Sequence, residues 1–294
     1  MRVGSTRSSR RLIINADDYG LSRGANSGII EAAETGVVTS ASMIVNLPGF
    51  DDAVARARSL PSLSLGLHLN LTTGKPLTAA HSLTRRKTGQ FYPLPLLVAR
   101  ASVGRVDSRD VAQECAAQID RMVDAGVFPT HLDSHRHVHA HPALWPAVFE
   151  TASSRGISNV RVPTEPIRTN VRDWKATLKK AGLLMTARIA RLEAKGDANH
   201  FFGVSLQGGG VFASRLFALI PRLPDGTTEL MTHPGYTDPT LSEHDGYTWQ
   251  REEELRVLCS KELRDLLLRY EIELTSFGRR PPLIAGEGKI AQHH

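Results

Sequence analysis

Short apolar runs alternate along the chain with longer stretches in which apolar residues recur every three or four positions. Strand patterns fall at Leu12–Asp17, Thr39–Asn46, Leu63–Leu71, His131–Ser134, Asn159–Val162, Glu229–Thr232 and Glu273–Ser276. Amphipathic stretches predict helices over Gly24–Glu34, Phe50–Ser59, Ser108–Ala125, Pro142–Arg155 and Arg251–Tyr270. Gly36, Gly126 and Gly156 close three of them, and Pro142 opens one. This βα rhythm runs the length of the chain without a linker or an internal repeat, which predicts a parallel sheet covered by helices.

The run Leu63–Leu71 decides what kind of sheet. Leu63, Leu65, Leu67, Leu69 and Leu71 share one face of a strand, and Ser64, Gly66, His68 and Asn70 share the other. An open doubly wound sheet would bury both faces among apolar groups, whereas a barrel gives a polar face a mouth to open on. The expectation is therefore an α/β chain with one (β/α) barrel-like domain, TIM-like with room for distortion, over residues 11–280. Its flanks are a flexible basic tail, 1–10, and a C-terminal tail, 281–294. Two excursions interrupt the rhythm, at about 72–106 and 167–200, either as solvated loops or as a substrate rim. No G-x-G-x-x-G follows the first strand, and Gly208–Gly210 lacks the Lys-Ser/Thr of a phosphate loop.

With 294 residues, 41% hydrophobic and 22% charged, the chain is neither disordered, collagenous nor stapled by disulfides. Its two cysteines, Cys115 and Cys259, lie in helical patterns and read as buried thiols of a reducing compartment. No apolar run approaches the ~18 residues of a membrane span, and no apolar segment follows the basic N-terminus, so a cytoplasmic protein is expected. The pI near 9.5 is misleading. Arg2, Arg7, Arg10 and Arg11 stand in a stretch without acids, and removing their four charges from the formal +6 leaves +2 over the other 283 residues. That balance, with no basic-aromatic strand or zinc-finger spacing, argues against a nucleic-acid partner. The tail leaves open a peripheral membrane contact, and Leu- and Val-rich outer surfaces leave open a homodimer.

Three clusters carry chemistry. Asn15-Ala16-Asp17-Asp18-Tyr19-Gly20 ends the first strand with adjacent carboxylates, which repel each other unless a cation or arginine lies close. One can ligate a metal while the other handles a proton; the alternative is a turn with an aspartate helix cap. Between His131 and His141 stand five of the chain's twelve histidines, where even scatter would put fewer than one. Neutral imidazole is the commonest transition-metal ligand, but one ion takes about three protein ligands. His135, just past its strand, is best placed at a barrel mouth. His137 and His139 share its parity if the chain stays extended, which suits substrate contacts or support of the ligands. His68 shares its strand's polar face with Asn70, either as a ligand or as a satisfied core histidine. Arg161, in a strand pattern, and His233, at another strand end, are structural or catalytic. Asp17, Asp18, His68, His135, Arg161 and His233 all fall near C-terminal strand ends, the face that carries chemistry in barrels. An Asp-His-His set suits Zn²⁺, Mn²⁺, Co²⁺ or, less comfortably, Mg²⁺, and points to hydrolysis by an activated water.

At these residues the sequence resembles the YdjC-like carbohydrate deacetylases. The matching stretches are Asn15–Leu21 (NADDYGL), Val38–Asn46 (VTSASMIVN), Gly66–Leu71 (GLHLNL), Gly74–Leu77 (GKPL), Pro129–His139 (PTHLDSHRHVH), Arg161–Pro163 (RVP) and Thr232–Gly235 (THPG). The resemblance implies a barrel-like fold and removal of an acetyl group from an N-acetylated amino sugar, as an oligosaccharide or a glycolipid. It implies a divalent metal, Mg²⁺ or Zn²⁺, on Asp18, His68 and His135. It also implies Asp17 as the general base, Arg161 as its partner and His233 as the acid that protonates the departing amine. Asn46, Asn70, His137 and His139 are the candidate substrate contacts. Arg136 departs from the family pattern, which has a third consecutive histidine there. The alternatives are another metal-dependent barrel hydrolase, such as a phosphoesterase, and a non-catalytic metal- or sugar-binding protein.

Overall fold

The computed structural model describes residues 10–165, 197–208 and 210–278. Strands β1 (Arg10–Tyr19), β2 (Ser40–Met43), β3 (Ser64–Leu69), β4 (Leu132–Ser134), β5 (His200–Phe202), β6 (Gly226–Thr232) and β7 (Glu273–Thr275) form one sheet in the order β4-β3-β2-β1-β6-β5. Every pairing is parallel. The ten-residue β1 pairs with β6 over Arg10–Ala16, with β7 over Arg11–Ile13 and with β2 over Asn15–Tyr19. The sheet curls into a parallel half-barrel with helices around it, the α/β single domain that the strand patterning predicts.

Side-chain alternation divides the sheet as Leu63–Leu71 requires. Leu12, Ile14 and Ala16 of β1, Ala41 and Met43 of β2, and Leu65, Leu67 and Leu69 of β3 join the main core under the helices. Asn15, Asp17, Ser42, His68, Asp133 and Glu229 occupy intervening positions and are also buried, so the concave face is polar. At Gly66 a Cβ would stand 2.4 Å from the His131 ring, which fills the barrel at that point. The His131 ring in turn stacks on Phe277 at 4.1 Å between centroids.

The outer helices are α1 (Arg23–Glu34), α2 (Phe50–Ala57), α3 (Leu94–Ser102), α4 (Ser108–Asp124), α5 (Trp145–Ser154), α6 (Phe212–Leu219), α7 (Pro239–His244), α8 (Gln250–Leu258) and α9 (Lys261–Arg269). Ser22 caps α1 by accepting from the Ala25 N–H, and Asp107 accepts from Arg109 at the start of α4. The single helix expected over Arg251–Tyr270 is two, because the Ser260 side chain accepts from the Leu263 N–H and starts α9 afresh. Cys259 lies at that break and is half-buried rather than buried, while Cys115 is buried as expected. Pro142 does not open α5: residues 141–144 form a turn in which the His141 carbonyl accepts from Leu144 and Trp145. The strand expected over Asn159–Val162 is reduced to one parallel bridge between Leu132 and Val160. The excursion after β3 is anchored on α4, where the Glu114 carboxylate accepts from the Leu77 and Thr78 N–H groups. The excursion at 167–200 lies outside the described residues up to 196, as do residues 1–9 and the tail at 281–294. Among the described residues no helix is long and apolar enough to cross a membrane.

Gly66→Ala is expected to destabilise the fold by about 1–3 kcal/mol, the cost of forcing an extra methyl into a packed interior. Thermal unfolding would show it as a lowered Tm, and an unchanged Tm would mean that His131 moves aside freely.

Candidate active site

Strand ends bring the chemistry together. A cavity of about 480 Å³ opens at the C-terminal ends of the strands, and Asp17, Asp18, His68, His135, His137 and His233 line it. At the end of β1 the backbone turns sharply: Asp18 has φ 70° and Gly20 φ 92°. A left-handed aspartate costs on the order of 1–3 kcal/mol and persists only where its surroundings hold it. Here the Ile44 carbonyl lies so close to Gly20 that a Cβ would meet it at 2.3 Å.

Asp18 is the meeting point of two imidazoles. Its Oδ1 stands 2.8 Å from His135 Nδ1 and 3.2 Å from His68 Nε2. Its Oδ2 accepts from Arg251 Nη2 at 2.6 Å, which also reaches Asp245 at 2.7 Å. Burial alone would raise the Asp18 carboxyl, but His135 and Arg251 hold it well below the usual carboxylate range. His68 gives its other nitrogen to Asp133, Nδ1 to Oδ1 at 2.6 Å. Burial would lower His68, yet the Asp133 and Asp17 carboxylates outweigh it and raise the imidazole to about 10.

Behind this cluster lies a buried guanidinium. Arg161 Nη1 and Nη2 donate to the two oxygens of Asp17, each at 2.7 Å. Its Nη2 also lies 2.6 Å from Asp133 Oδ2, and its Nε donates to Glu229 Oε1 at 2.7 Å. Asn15 Nδ2 donates to Asp17 Oδ1, and Ser42 Oγ to Asp133 Oδ2, each at 2.8 Å. Burial, with Asp133 and Asp17 adding to it, pushes Glu229 up to about 7 despite Arg161. Three acids around one arginine are thus balanced in part by Glu229 taking up a proton and in part by His68 keeping one.

Also lining the cavity, His233 stacks edge-on against Tyr247, whose hydroxyl donates to Glu254 at 2.6 Å. The His233 backbone N–H donates to the other Glu254 oxygen at 2.6 Å. Burial lowers the His233 imidazole to about 4 and raises Glu254 to about 7.

The remaining candidates separate. His137 reaches the cavity, but the chain does not stay extended after His135: Arg136 and His137 have φ 61° and 57°. That turn sends His139 under the site, fully buried, with Nδ1 on Ser134 Oγ and Nε2 on the Arg161 carbonyl. Asn46 and Asn70 do not line the cavity; Asn70 donates to Asn46 and to the Thr73 carbonyl and accepts from the Thr72 and Thr73 N–H groups. Their place is to hold the loop after β3. Glu229, Glu254, Asp245 and Arg251 were not singled out from the sequence. Glu229 carried a signal, an acid on the inward parity of a strand, whereas buried Arg251 sits on a helix and announces itself only in three dimensions.

Among the described residues, two groups of side chains could hold a cation: Asp18 with His68 and His135, and Asp17 with His68 and Asp133. The first fits better. His135 Nδ1 and His68 Nε2 converge on the same carboxylate oxygen, Asp18 Oδ1. The separations of 2.8 and 3.2 Å match the roughly 3 Å between neighbouring ligands of an ion bound at about 2.1 Å. His68, backed by Asp133, has the carboxylate support usual for a metal-binding imidazole. In the second group both carboxylates are already committed to Arg161, whose charge opposes another cation.

A family model described as YdjC-like protein matches residues 11–269. A carbohydrate deacetylase of Geobacillus stearothermophilus is 36% identical over 269 residues, covering 91% of this chain and 97% of that protein. Another from Vibrio cholerae serotype O1 is 34% identical over 270 residues, with 91% and 95% covered. Among solved structures, an Enterococcus faecalis V583 protein described as a candidate for cellobiose-phosphate cleavage superposes with a TM-score of 0.74 at 25% identity, over 92% of this chain and 98% of its own.

Because His68 is protonated at neutral pH without a metal, metal uptake is expected to expel about one proton and to tighten as pH rises. Calorimetric titration at neutral pH in buffers of different ionisation enthalpy measures this. An uptake heat independent of buffer would contradict the ligand role of His68.

Proposed function

The chain belongs to the YdjC-like family, and on that premise we propose that it hydrolyses the acetamide of an N-acetylated amino sugar, presented on an oligosaccharide or a glycolipid. The observation that carries the reading is one cavity holding a buried Asp-His-His cluster beside an aspartate clamped by arginine. Asp18, His68 and His135 hold a divalent cation, Mg²⁺ or Zn²⁺. Bound there, the ion would supply Lewis acidity toward the acetyl carbonyl and the attacking water.

The protein's own groups do the rest. Asp17 takes the proton of the attacking water, and the bidentate Arg161 fixes the direction in which it does so. His233 faces the same cavity and serves the nitrogen of the scissile bond, since an amine leaves poorly unless protonated. Burial lowers the His233 imidazole to about 4, so its ring starts neutral and must take up a proton before it can deliver one to the nitrogen. Glu254 and Tyr247 hold the His233 segment in place. His137 stands at the cavity wall as a contact for the sugar.

Acetate release would be measured from N-acetylglucosamine, chitobiose, a nucleotide sugar and a glucosaminyl lipid, with chelator and then with added Mg²⁺, Zn²⁺ or Co²⁺. The expected outcome is chelator-sensitive release from at least one substrate; silence from all four with metal bound would overturn the proposal. Asp17→Asn is expected to keep the metal and lose about 10²–10⁴-fold in turnover, the usual contribution of a general base. His68→Ala and His135→Ala should each lose the metal by elemental analysis, and full metal content in both would sink the ligand assignment.

A further inference from the structure

The excursion between β3 and α4 is basic throughout. Residues 72–106 contain six Lys and Arg and not one Asp or Glu, a local charge equal to the formal +6 of the whole chain. Within it, a bridge between Thr84 and Phe91 closes a hairpin whose tip, Arg85-Arg86-Lys87, is exposed. The chain then enters α3, whose outward side is formed by Pro95, Leu96, Val98, Ala99, Ser102 and, just past its end, Val103, all exposed and none charged. Leu96, Val98 and Val103 are 44%, 37% and 66% exposed, unusual for branched apolar residues on one helix face.

The two features are one unit. Arg100 of α3 lies over the Tyr92 ring at 4.5 Å and donates to the Ser82 carbonyl, which fastens the helix to the hairpin base. The unit also borders the active site. Leu94 and Pro95 line the cavity, and α3 packs against the turn that carries His135 and His137. Exposed Arg136 adds another cation at the same mouth. A contiguous apolar face flanked by cations is the pattern of a surface that enters the headgroup region of an anionic bilayer.

We propose that α3 and the 84–91 hairpin dock the protein on an anionic lipid surface, with the cavity mouth turned toward it. The arrangement suits an amphiphilic substrate whose sugar enters the cavity while its apolar part stays in the lipid. This last clause rests on the deacetylase reading; the docking itself does not. The surface differs from the one the arginines before Leu12 suggest. The described chain starts at Arg10, at the end of β1 opposite the cavity, so a contact made there would turn the mouth away from the lipid.

Co-sedimentation of the full chain with vesicles of phosphatidylglycerol and phosphatidylcholine, against pure phosphatidylcholine, tests this without any substrate. Anionic vesicles are expected to bind at least about 10-fold more tightly, with the preference lost at high salt. Arg85→Glu with Arg86→Glu and Lys87→Glu, and separately Leu96→Glu with Val98→Glu, should each weaken binding about 10-fold or more. A chain lacking residues 1–9 should bind like the parent, and turnover of a soluble acetylated sugar should be unchanged in all of these variants. Binding equal on both vesicle types, or lost only with residues 1–9, would overturn the proposal. So would a dimer, seen by sedimentation velocity, that Leu96→Glu with Val98→Glu splits while lipid binding stays intact, because the face would then belong to a second copy. If binding behaves as expected while no substrate releases acetate, the docking surface stands and the proposed reaction fails.

Discussion

One buried guanidinium holds the mouth of this barrel together. Arg161 donates to Asp17 from β1, to Asp133 from β4 and to Glu229 from β6, so a single side chain ties three strands across the concave face. The carboxylates could not share that volume without it. Removing one member of such a buried cluster typically costs about 3–5 kcal/mol, because the charges left behind have neither partner nor water. The backbone carbonyl of Arg161 is used too, accepting from His139 below the site. Its placement follows from β4, where the Arg161 N–H donates to the Leu132 carbonyl.

Asp17 and Asp18 are neighbours in the chain, yet they belong to different electrostatic environments. Asp17 faces Arg161 and Asn15, while Asp18 turns through a left-handed backbone toward His68, His135 and Arg251. Two adjacent carboxylates are thereby given separate cations, and neither has to neutralise the other. The same division underlies the proposed roles, one acid at the cation and one at the proton. Arg251 shows how widely the site is supported: it comes from a helix more than two hundred residues downstream and is fully buried.

Strand periodicity made most of the barrel legible. Leu63–Leu71 sorts its leucines outward and its polar residues inward, and the clustered Asp and His residues sit at strand ends as barrels require. Local rules failed where tertiary geometry decides. The two left-handed residues after His135 break the alternation on which a common role for His137 and His139 depended. Asn46 and Asn70 share a polar face with the site but are consumed by the loop they brace. α3 was hidden because its apolar residues surround the helix instead of forming one stripe, and that lack of amphipathicity is the property that leaves an apolar face in water.

The chemistry of the site turns on which acids take the cation. Crystals soaked with Zn²⁺ or Mn²⁺ and measured by anomalous diffraction would place it directly. One ion bound by Asp18, His68 and His135 is expected, with Asp17 still paired to Arg161. An ion bound by Asp17, His68 and Asp133, with Arg161 displaced, would contradict that assignment.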